Sequence, residues 1–458
     1  MKINRKVIGF FSGIALCIII NLLSLAELSR EGQLCLGLTL MTVVWWATQV
    51  AQSGYVSAVF LMLLCLLKVA SPTVIFSCWT NSTMWLVFGA YLIATAVRNS
   101  GLGERLSYTF ILKFVRGWND TIVSIFALTF VLSLFIPSPW PRALLIMSVM
   151  RIIIESTKMS QRDAVTVGLT VFASSVPISL IFLTGDATIN PLVASYSGES
   201  VSFLRWFLVI GPPAIVLSIC TLILILTFFR PSSSLSVDLS KIRLSLQGLG
   251  KMTGYEKRVL VWIIIAVLFW MTNSITGLDI GWTTLLVAVL MSCPVIGEVL
   301  DADDWSSIPV DVLIFLTAAM AVGSVGSQTG MSAWIANNLL PSTVPQNPIL
   351  LVLLISSISI ILHLFMGSVM AVVGVAIPAI LSFTGDALPP LAVIGIVYIS
   401  VGGHYLMPFH HINMLIGQGE ENGLYTQKET IKLGAPLSLA VLISILFAFF
   451  WWKIIGLL

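Results

Sequence analysis

The stretch IPSPWPR, residues 136–142, lies between two apolar runs, residues 122–136 and 143–154. Each run is shorter than the roughly 20 apolar residues that a membrane-crossing helix needs. The three prolines between Ile136 and Arg142 also exclude an uninterrupted helix through the stretch. Irregular backbone at membrane depth persists only where protein or a water-filled cavity satisfies it. We therefore predict a re-entrant hairpin near residues 121–155, with this stretch at its tip.

The rest of the chain has a composition that suits a lipid environment. Of its 458 residues, 58% are hydrophobic and 9% are charged, against about 25% charged in an ordinary soluble domain. The net charge of +3 is too small to indicate a nucleic-acid partner. The first apolar run follows Lys2, Arg5 and Lys6 and ends without a small-residue cleavage site. We interpret it as a retained first helix rather than a signal peptide.

A second pair of short apolar runs, residues 349–365 and 371–383, is divided by the tip sequence Gly367–Met370. We predict a second hairpin near residues 347–385, which leaves eleven crossings. With the N-terminus in the cytoplasm, most Lys and Arg residues lie inside, as the positive-inside rule requires, and the C-terminus is external. In this orientation the external Lys and Arg residues are Arg30, Lys68, Arg205 and Lys453.

The two halves of the sequence resemble each other. The segment Leu86–Ala94 (LVFGAYLIA), which runs on to Gly101, is similar to Leu313–Ala321 (LIFLTAAMA), which runs on to Gly330. The tip serines Ser138 and Ser368 follow these glycines after 37 and 38 residues. Because the first hairpin enters from inside and the second from outside, the repeats are inverted. The predicted fold is an all-α polytopic membrane protein with about 11 transmembrane helices plus two re-entrant hairpins in two inverted repeats.

The domain boundaries follow from this repeat. N-terminal scaffold helices occupy residues 1–83, and the first inverted repeat occupies residues 84–230. A serine-rich, partly basic stretch at residues 231–258 is the predicted cytoplasmic linker. The second inverted repeat covers residues 259–458.

Each repeat also contains an interrupted helix, predicted at residues 184–191 and 408–413, where Gly, Pro and polar residues break an apolar run. Inverted repeats with broken helices indicate a binding site at the membrane midplane of a secondary transporter. The N-terminus of a half-helix exposes free N–H groups and a positive dipole end, which suit an anion. The alternative is that Gly and Pro only kink tightly packed helices.

Arg142 and Asp186 are the charged residues expected deep in the first repeat. A buried Arg needs a partner, either a substrate carboxylate bound bidentately or a salt bridge with Asp186. Asp186 has several possible roles: it coordinates a cation, carries a proton, pairs with Arg142 or caps the second half-helix.

The second repeat offers Ser368, the backbone near Gly367, and the adjacent residues His410 and His411. One of these histidines is expected to meet an anion, and histidine titrates near neutral pH, so proton coupling is possible. No Cys or carboxylate clusters with them in sequence, so a metal is not expected beyond a possible sodium ion. His363, on an apolar helix, is interpreted as an internally hydrogen-bonded histidine.

The sequence contains no Gly-rich phosphate loop, no GxSxG elbow and no HExxH motif, so neither an enzyme nor a cofactor is expected. Without a nucleotide site, primary active transport by this chain alone is not expected either.

These features resemble the divalent anion:sodium symporter superfamily, which includes sodium–dicarboxylate cotransporters and the citrate/succinate and 2-oxoglutarate/malate exchangers. The resemblance covers residues 84 to the C-terminus. It implies the eleven-span inverted-repeat fold, a homodimer, and transport by an elevator-type motion of transport domains against scaffold domains.

The hairpin tips carry the resemblance in part. At the first tip, Pro137, Ser138 and Arg142 match the exchanger pattern Pro-Ser-Asn-Thr-Ala-Arg, whereas residues 139–141 read Pro-Trp-Pro. At the second tip, Ser368 matches the family's Ser-Asn-Thr motif. The Asn and Thr side chains of the family hold substrate carboxylates and shape the sodium sites.

Two further comparisons complete the resemblance. Val369 and Met370 replace the Asn and Thr of the second tip, while the second break keeps Pro408 and Asn413. The added histidines fit an exchanger or a proton-coupled carrier at least as well as a sodium symporter.

The sequence therefore predicts a secondary transporter of small organic anions, di- or tricarboxylates, in the cell membrane, with a bacterial inner membrane as the expected location. The predicted substrate-binding residues are Ser138, Arg142, Asn190, Ser368, Asn413, His410 and His411. The predicted residues for a coupling Na⁺ or H⁺ are Thr184, Gly185, Asp186 and Gly367. Two alternatives stay open, a cation/proton antiporter that uses Asp186 and a non-transporting membrane protein on the same scaffold.

Overall fold

The computed structural model describes residues 5–232, 237–306, 308–341 and 343–458. Across these ranges the chain is helical, and the sole β-type contact is a single bridge between Gln418 and Tyr425. The predicted all-α fold is therefore confirmed. Lys2, which precedes the first apolar run, and residues 233–236 of the predicted linker lie outside the described residues.

The first half of the chain and the linker form twelve helices within the described ranges. They are α1 (Arg5–Leu22), α2 (Arg30–Thr48), α3 (Ser53–Leu66), α4 (Pro72–Ile75), α5 (Ser82–Ser100), α6 (Leu102–Phe114), α7 (Trp118–Leu132), α8 (Pro139–Thr157), α9 (Gln161–Ile178), α10 (Ile189–Ser195), α11 (Phe203–Phe228) and α12 (Ser240–Gly248).

The second half continues with ten helices in the part of the chain that the structure describes. They are α13 (Gly254–Thr276), α14 (Ile280–Met291), α15 (Ala302–Ser306), α16 (Val310–Gln328), α17 (Met331–Leu339), α18 (Pro348–Met366), α19 (Val369–Thr384), α20 (Pro390–Gly402), α21 (Ile412–Ile416) and α22 (Gln427–Ile454).

Six of the described helices are long and apolar enough to cross a membrane: α11, α13, α16, α18, α19 with its short 3₁₀ extension, and α22. Several shorter apolar helices, among them α3, α7, α14 and α20, add to them. Length and composition do not distinguish a crossing from a hairpin arm, so the count of eleven crossings stays a prediction.

Both predicted hairpins are pairs of helices that pack against each other. In the first pair, α7 and α8 are joined by residues 133–138. In the second, α18 and α19 are joined by Gly367 and Ser368 alone.

The first tip differs from the prediction in one respect. Helix α8 begins at Pro139, so Pro139, Pro141 and Arg142 lie in its first turn rather than in an irregular tip. Proline is tolerated there because the first N–H groups of a helix have no intrahelical partner in any case. The prolines therefore start a helix, and they do not interrupt one.

The proposed repeat has a counterpart in the backbone. Gly101, which separates α5 from α6, has φ 74° and ψ 3°, and Gly330, which separates α16 from α17, has φ 79° and ψ 1°. Ser138 occupies the N-cap position of α8 at φ −144° and ψ 126°, and Ser368 occupies that of α19 at φ −147° and ψ 119°. Residues paired by the sequence comparison thus adopt the same local conformation.

The helices that precede the two breaks lie at the centre of the molecule. In α20, every residue from Leu391 to Gly402 is buried, and in α9 every residue from Thr166 to Ile178 is buried. Around them pack α7, α8, α11, α18, α19 and α22, while α5 packs on α14 and α3 packs on α16.

An ion pair fixes the linker to the first repeat. The guanidinium of Arg105, on α6, contacts the carboxylate of Glu256 on α13 through Nε–Oε1 at 2.7 Å and Nη2–Oε2 at 3.2 Å. Both side chains are largely buried. Arg105 also donates to the carbonyls of Gly250 and Leu249 at 2.9 and 3.2 Å. This one side chain therefore holds α6, the end of the linker and the start of α13 together.

We predict that Arg105→Ala lowers the free energy of unfolding by about 2–4 kcal/mol, because it leaves a buried carboxylate without its partner. The matched control is Arg258→Ala, which removes the exposed pair with Glu298 at 3.7 Å and should cost under about 1 kcal/mol. Thermal unfolding of the purified variants measures both. Equal losses would contradict the structural role assigned to Arg105.

Candidate functional site

The first broken helix unwinds between the end of α9 at Ile178 and the start of α10 at Ile189. Thr184, Gly185 and Asp186 lie in this irregular segment, as predicted. Asn190, predicted in the break, instead lies in the first turn of α10, since the break begins earlier in the chain. Pro177, in the last turn of α9, lacks an N–H group, which favours this earlier end.

Asp186 caps the N-terminus of α10. Its Oδ1 accepts hydrogen bonds from the backbone N–H groups of Thr188 at 3.0 Å and Ile189 at 3.2 Å. These N–H groups have no intrahelical acceptor, and a carboxylate also suits the positive end of a helix. Of the roles considered for Asp186, the cap is the one that this geometry forms.

The first tip is joined to the first break by backbone and side-chain hydrogen bonds. The N–H of Ala187 donates to the carbonyl of Pro137 at 3.0 Å. Arg142 Nη1 donates to the carbonyls of Ile136 at 2.9 Å and Gly185 at 3.3 Å. Tip and break therefore form one unit, and they satisfy each other's irregular backbone.

Arg142 has unused hydrogen-bonding capacity. The side chain is fully buried, yet among the described residues its Nε and Nη2 have no hydrogen-bond partner, and it forms no ion pair with Asp186 within 4 Å. These two atoms form the edge of the guanidinium that binds a carboxylate side-on, as Arg105 binds Glu256. The edge therefore has the geometry for a bidentate contact with an anion.

Asn190, in contrast to Arg142, uses all of its hydrogen-bonding capacity within the protein. Its Nδ2 donates to the carbonyls of Ser179 and Phe182, both at 2.8 Å, and its Oδ1 accepts a short hydrogen bond from the hydroxyl of Tyr398 on α20. Every polar atom of the amide holds the bend or joins the two repeats. In this conformation Asn190 has no polar atom available for an anion.

The second tip adjoins the second break. Gly367 takes φ 64°, a conformation that glycine adopts readily, and ends α18, while the Ser368 hydroxyl accepts from the N–H of Ala371 at 3.4 Å. A cavity of about 130 Å³ is lined by both tip residues, by His410 and His411, and by Ile189 at the start of α10. The second tip, the second break and the edge of the first break thus meet around one space.

Two polar residues at the breaks are buried without partners. Asn413, at the start of α21, has neither its Oδ1 nor its Nδ2 hydrogen-bonded within the described residues. The hydroxyl of Thr184 in the first break is likewise buried and unpartnered in the described part of the chain. Buried polar groups are nearly always satisfied, so both side chains have hydrogen-bonding capacity that the described protein does not use.

The histidines of the second break make local contacts. His410 Nδ1 accepts from the N–H groups of Leu406 and Met407 at 3.1 and 3.2 Å, and His411 Nδ1 accepts from the N–H of Asn413 at 3.4 Å. His363 contacts the carbonyl of His410 through Nε2 at 2.9 Å, in agreement with the internal hydrogen bond predicted for it.

Two larger cavities lie along α5 and α16. The first reaches the first hairpin tip, whereas the second is lined by Pro378, Leu381 and Ser382 of α19 and by neither residue of the second tip. One, of about 490 Å³, lies between α5 and the start of α8 and reaches Tyr91 and Ser138. The other, of about 550 Å³, lies between α16 and α19 and reaches Tyr196. The Tyr91 hydroxyl lies 3.4 Å from that of Thr188, and Tyr196 donates to the carbonyl of Ala319 at 3.0 Å. Each cavity is thus lined by a tyrosine that contacts a second segment of the chain.

The comparison with protein families decides the class of this architecture. The protein-family model described as the sodium:sulfate symporter transmembrane region matches residues 4–458 of this chain. The chain belongs to this family. The resemblance to the divalent anion:sodium symporter superfamily is therefore confirmed, and the chain is a multi-pass membrane protein of a transporter family rather than an enzyme.

Individual relatives are distant. The sodium-dependent dicarboxylate transporter SdcS of Staphylococcus saprophyticus is 23% identical over 363 residues, which are 73% of this chain and 70% of the relative. The putative malate transporter YflS of Bacillus subtilis is 26% identical over 277 residues, 56% of each chain. The crystal structure of the YdaH transporter of Alcanivorax borkumensis shares the fold, with a TM-score of 0.54, 15% identity, and coverage of 92% of this chain and 98% of that one.

Asn190 is fully hydrogen-bonded and Asn413 is unpartnered, so the two buried asparagines test a division between residues that hold the fold and residues whose polar atoms are left for a ligand. We predict that Asn190→Leu lowers the free energy of unfolding by about 2–4 kcal/mol, because three buried partners lose their hydrogen bonds. The same change at Asn413 removes an amide with no partner and should alter stability by under about 1 kcal/mol. Thermal unfolding without added ligand compares the two, and an equal loss at both positions would refute the division.

Proposed function

We propose that this protein is a secondary transporter that carries small organic anions, di- or tricarboxylates, across the membrane by alternating access. The observation that carries the proposal is the buried, unpartnered side-on edge of Arg142, next to the tip residue Ser138. Relatives named as a dicarboxylate transporter and a malate transporter support the substrate class.

Arg142 is proposed to bind one carboxylate of the substrate. A hydrogen bond that involves a charged group contributes about 1.5–3 kcal/mol, and a buried donor without a partner costs a comparable amount. A carboxylate at Nε and Nη2 would satisfy both donors and offset the buried charge. The main-chain bonds from Nη1 to Ile136 and Gly185 hold the guanidinium in position for this contact.

The opposite side of the site is proposed to come from the second repeat. Ser368 lies at the N-terminus of α19, where N–H groups and the helix dipole favour negative charge. His410 and His411 line the same cavity as Ser368, and Asn413 supplies an unpartnered amide. We keep these residues with Ser138 and Arg142 as the substrate set, and we assign Asn190 to holding the bend.

The coupling ion is proposed to be Na⁺ or H⁺, bound near the first break and the second tip. Unwound backbone at a helix break supplies the carbonyl oxygens that coordinate such ions in transporters. The Thr184 hydroxyl is buried and unpartnered within the described residues. Gly185, Asp186 and Gly367 lie in the irregular segments nearby.

An elevator-type motion is supported by the two cavities. They occupy corresponding places on α5 and α16, as access routes to the two membrane faces would. We propose that the hairpins move with α9, α10, α20 and α21 against a scaffold that contains α5 and α16. The contacts Tyr91–Thr188 and Tyr196–Ala319 would then break and re-form in each cycle. Loop charge supports a cytoplasmic N-terminus and an external C-terminus, and the family resemblance supports a homodimer.

The test is thermal stabilisation of the purified protein by succinate, malate, 2-oxoglutarate, citrate, sulfate and phosphate, each in sodium and in potassium. A ligand at a hundredfold excess over its Kd stabilises the folded state by about 2.7 kcal/mol. We predict a shift with a carboxylate that Arg142→Ala abolishes. The matched control is Arg151→Ala, on the same helix, whose guanidinium instead contacts the carbonyls of Glu420 and Asn422 and which should keep the shift.

Other outcomes identify the alternatives. A shift with sodium or pH alone, lost in Asp186→Asn and kept in Arg142→Ala, would favour a cation/proton antiporter. No shift with any anion or cation would favour a non-transporting protein. Dependence of the carboxylate shift on sodium would assign Na⁺ as the coupling ion.

A further inference from the structure

The cavity of about 490 Å³ between α5 and the start of α8 has features that the proposed function does not use. Small-molecule sites are typically clefts of about 300–1,000 Å³ whose lining is mostly apolar, with a few polar groups that orient the ligand. The apolar lining of this cavity comes from α5, from the first tip and from the first two turns of α8, and it includes Ala94, Val97, Ile136, Trp140, Leu144 and Leu145. The wall therefore suits a ligand with an apolar part.

Trp140 is the largest apolar side chain of this lining. It lies between Pro139 and Pro141 in the first turn of α8, and 37% of it is exposed. Within the described residues, no hydrogen bond or ring contact occupies its side chain. An indole has a flat apolar face and one N–H donor. Trp140 therefore offers a contact surface for a flat or branched apolar group.

Two residues of opposite charge line the same cavity, one on each side of the turn at Gly101. Arg98 is in the last turn of α5, and Glu104 is in the first turn of α6. Both side chains are exposed. Neither forms an ion pair within 4 Å with the other, or with any residue that the structure describes. The cavity thus presents one cationic and one anionic group that are not paired within the protein.

The apolar wall and the two charges match one class of small molecule. A di- or tricarboxylate, the substrate class of the proposed function, gains little from an indole and is repelled by Glu104. A zwitterion with an apolar side chain uses every part of the lining. Its carboxylate pairs with Arg98 and its ammonium with Glu104, while its side chain leaves water against the apolar wall. Free α-amino acids with large apolar side chains have this chemistry.

We propose that this cavity is a second ligand site, which binds a free α-amino acid with a large apolar side chain. The amino acid contacts Arg98 and Glu104 through its charged groups and Trp140 through its side chain. Arg98 is on α5 and Trp140 is on α8, so the bound amino acid holds the first hairpin against a helix of the proposed scaffold. This consequence rests on the proposed function, whereas the binding site does not.

The test is equilibrium binding of tritiated L-phenylalanine to the purified full-length protein, measured by scintillation proximity. Three unlabelled competitors each lack one part of phenylalanine: 3-phenylpropanoate lacks the ammonium, phenethylamine lacks the carboxylate, and L-alanine lacks the ring. We expect loss of the ring to weaken binding at least about tenfold, because an apolar group then stays in water. Loss of either charged group should weaken binding about threefold to fivefold, as expected for partly exposed ion pairs.

Substitutions test the same contacts from the side of the protein. Trp140→Ala should weaken phenylalanine binding at least about tenfold. Arg98→Gln should weaken phenylalanine but leave phenethylamine unchanged, because phenethylamine has no carboxylate to lose a partner. By the same reasoning, Glu104→Gln should leave 3-phenylpropanoate no weaker. The matched control is Trp282→Ala, which removes a tryptophan that is 46% exposed outside this cavity and should not change binding.

The outcomes separate this inference from the proposed function. Absence of saturable phenylalanine binding refutes the site, and so does binding that Trp140→Ala leaves unchanged. Equal affinity for phenylalanine and 3-phenylpropanoate refutes the zwitterion as the ligand class. Carboxylate uptake into liposomes tests the consequence, since phenylalanine should slow the uptake at concentrations that match its Kd. Binding without slower uptake refutes the hold on the hairpin. Absence of any carboxylate uptake while phenylalanine still binds counts against the proposed function, and the amino-acid site stands.

Discussion

The architecture depends on the guanidinium of Arg142, which joins a hairpin tip to a broken helix in a place where water cannot satisfy either. Its Nη1 donates to carbonyls on both sides, at Ile136 and Gly185. Without this contact and the bond from Ala187 to Pro137, the tip and the break would both carry unsatisfied backbone groups, which a membrane interior does not tolerate. The binding geometry proposed for the other edge of the guanidinium follows from this structural role.

In the second repeat a side chain also joins the hairpin tip to the broken helix, but there it is a histidine rather than an arginine. There, His363 on the helix before the tip donates to the carbonyl of His410 in the break, as Arg142 on the helix after the tip donates to Gly185. A guanidinium holds the first half, and an imidazole holds the second. The two proposed repeats have nearly identical backbone at Ser138 and Ser368, and they therefore use different side chains to hold the tip against the break.

Much of this arrangement could be predicted from the sequence, because hairpins and breaks are local. The apolar runs, the tip serines and the glycines at 101 and 330 gave the fold and the order of its parts. The sequence could not show that Pro139 begins a helix, since an N-terminal proline and a breaking proline look alike. Nor could it pair Asn190 with Tyr398, or His363 with His410, because these contacts join residues far apart in the chain that meet only after the repeats pack.

The distribution of satisfied and unsatisfied polar atoms separates two classes of buried residue. Asn190 and Asp186 use their polar atoms within the protein, and both hold irregular backbone in place. Arg142, Asn413 and Thr184 lie close to the same breaks and keep bare atoms at full burial. Each such atom costs about 1–3 kcal/mol, against a total stability of about 5–15 kcal/mol for a typical domain. The described protein does not offset this cost at any of the three residues, and a bound ligand, as proposed above, would offset it.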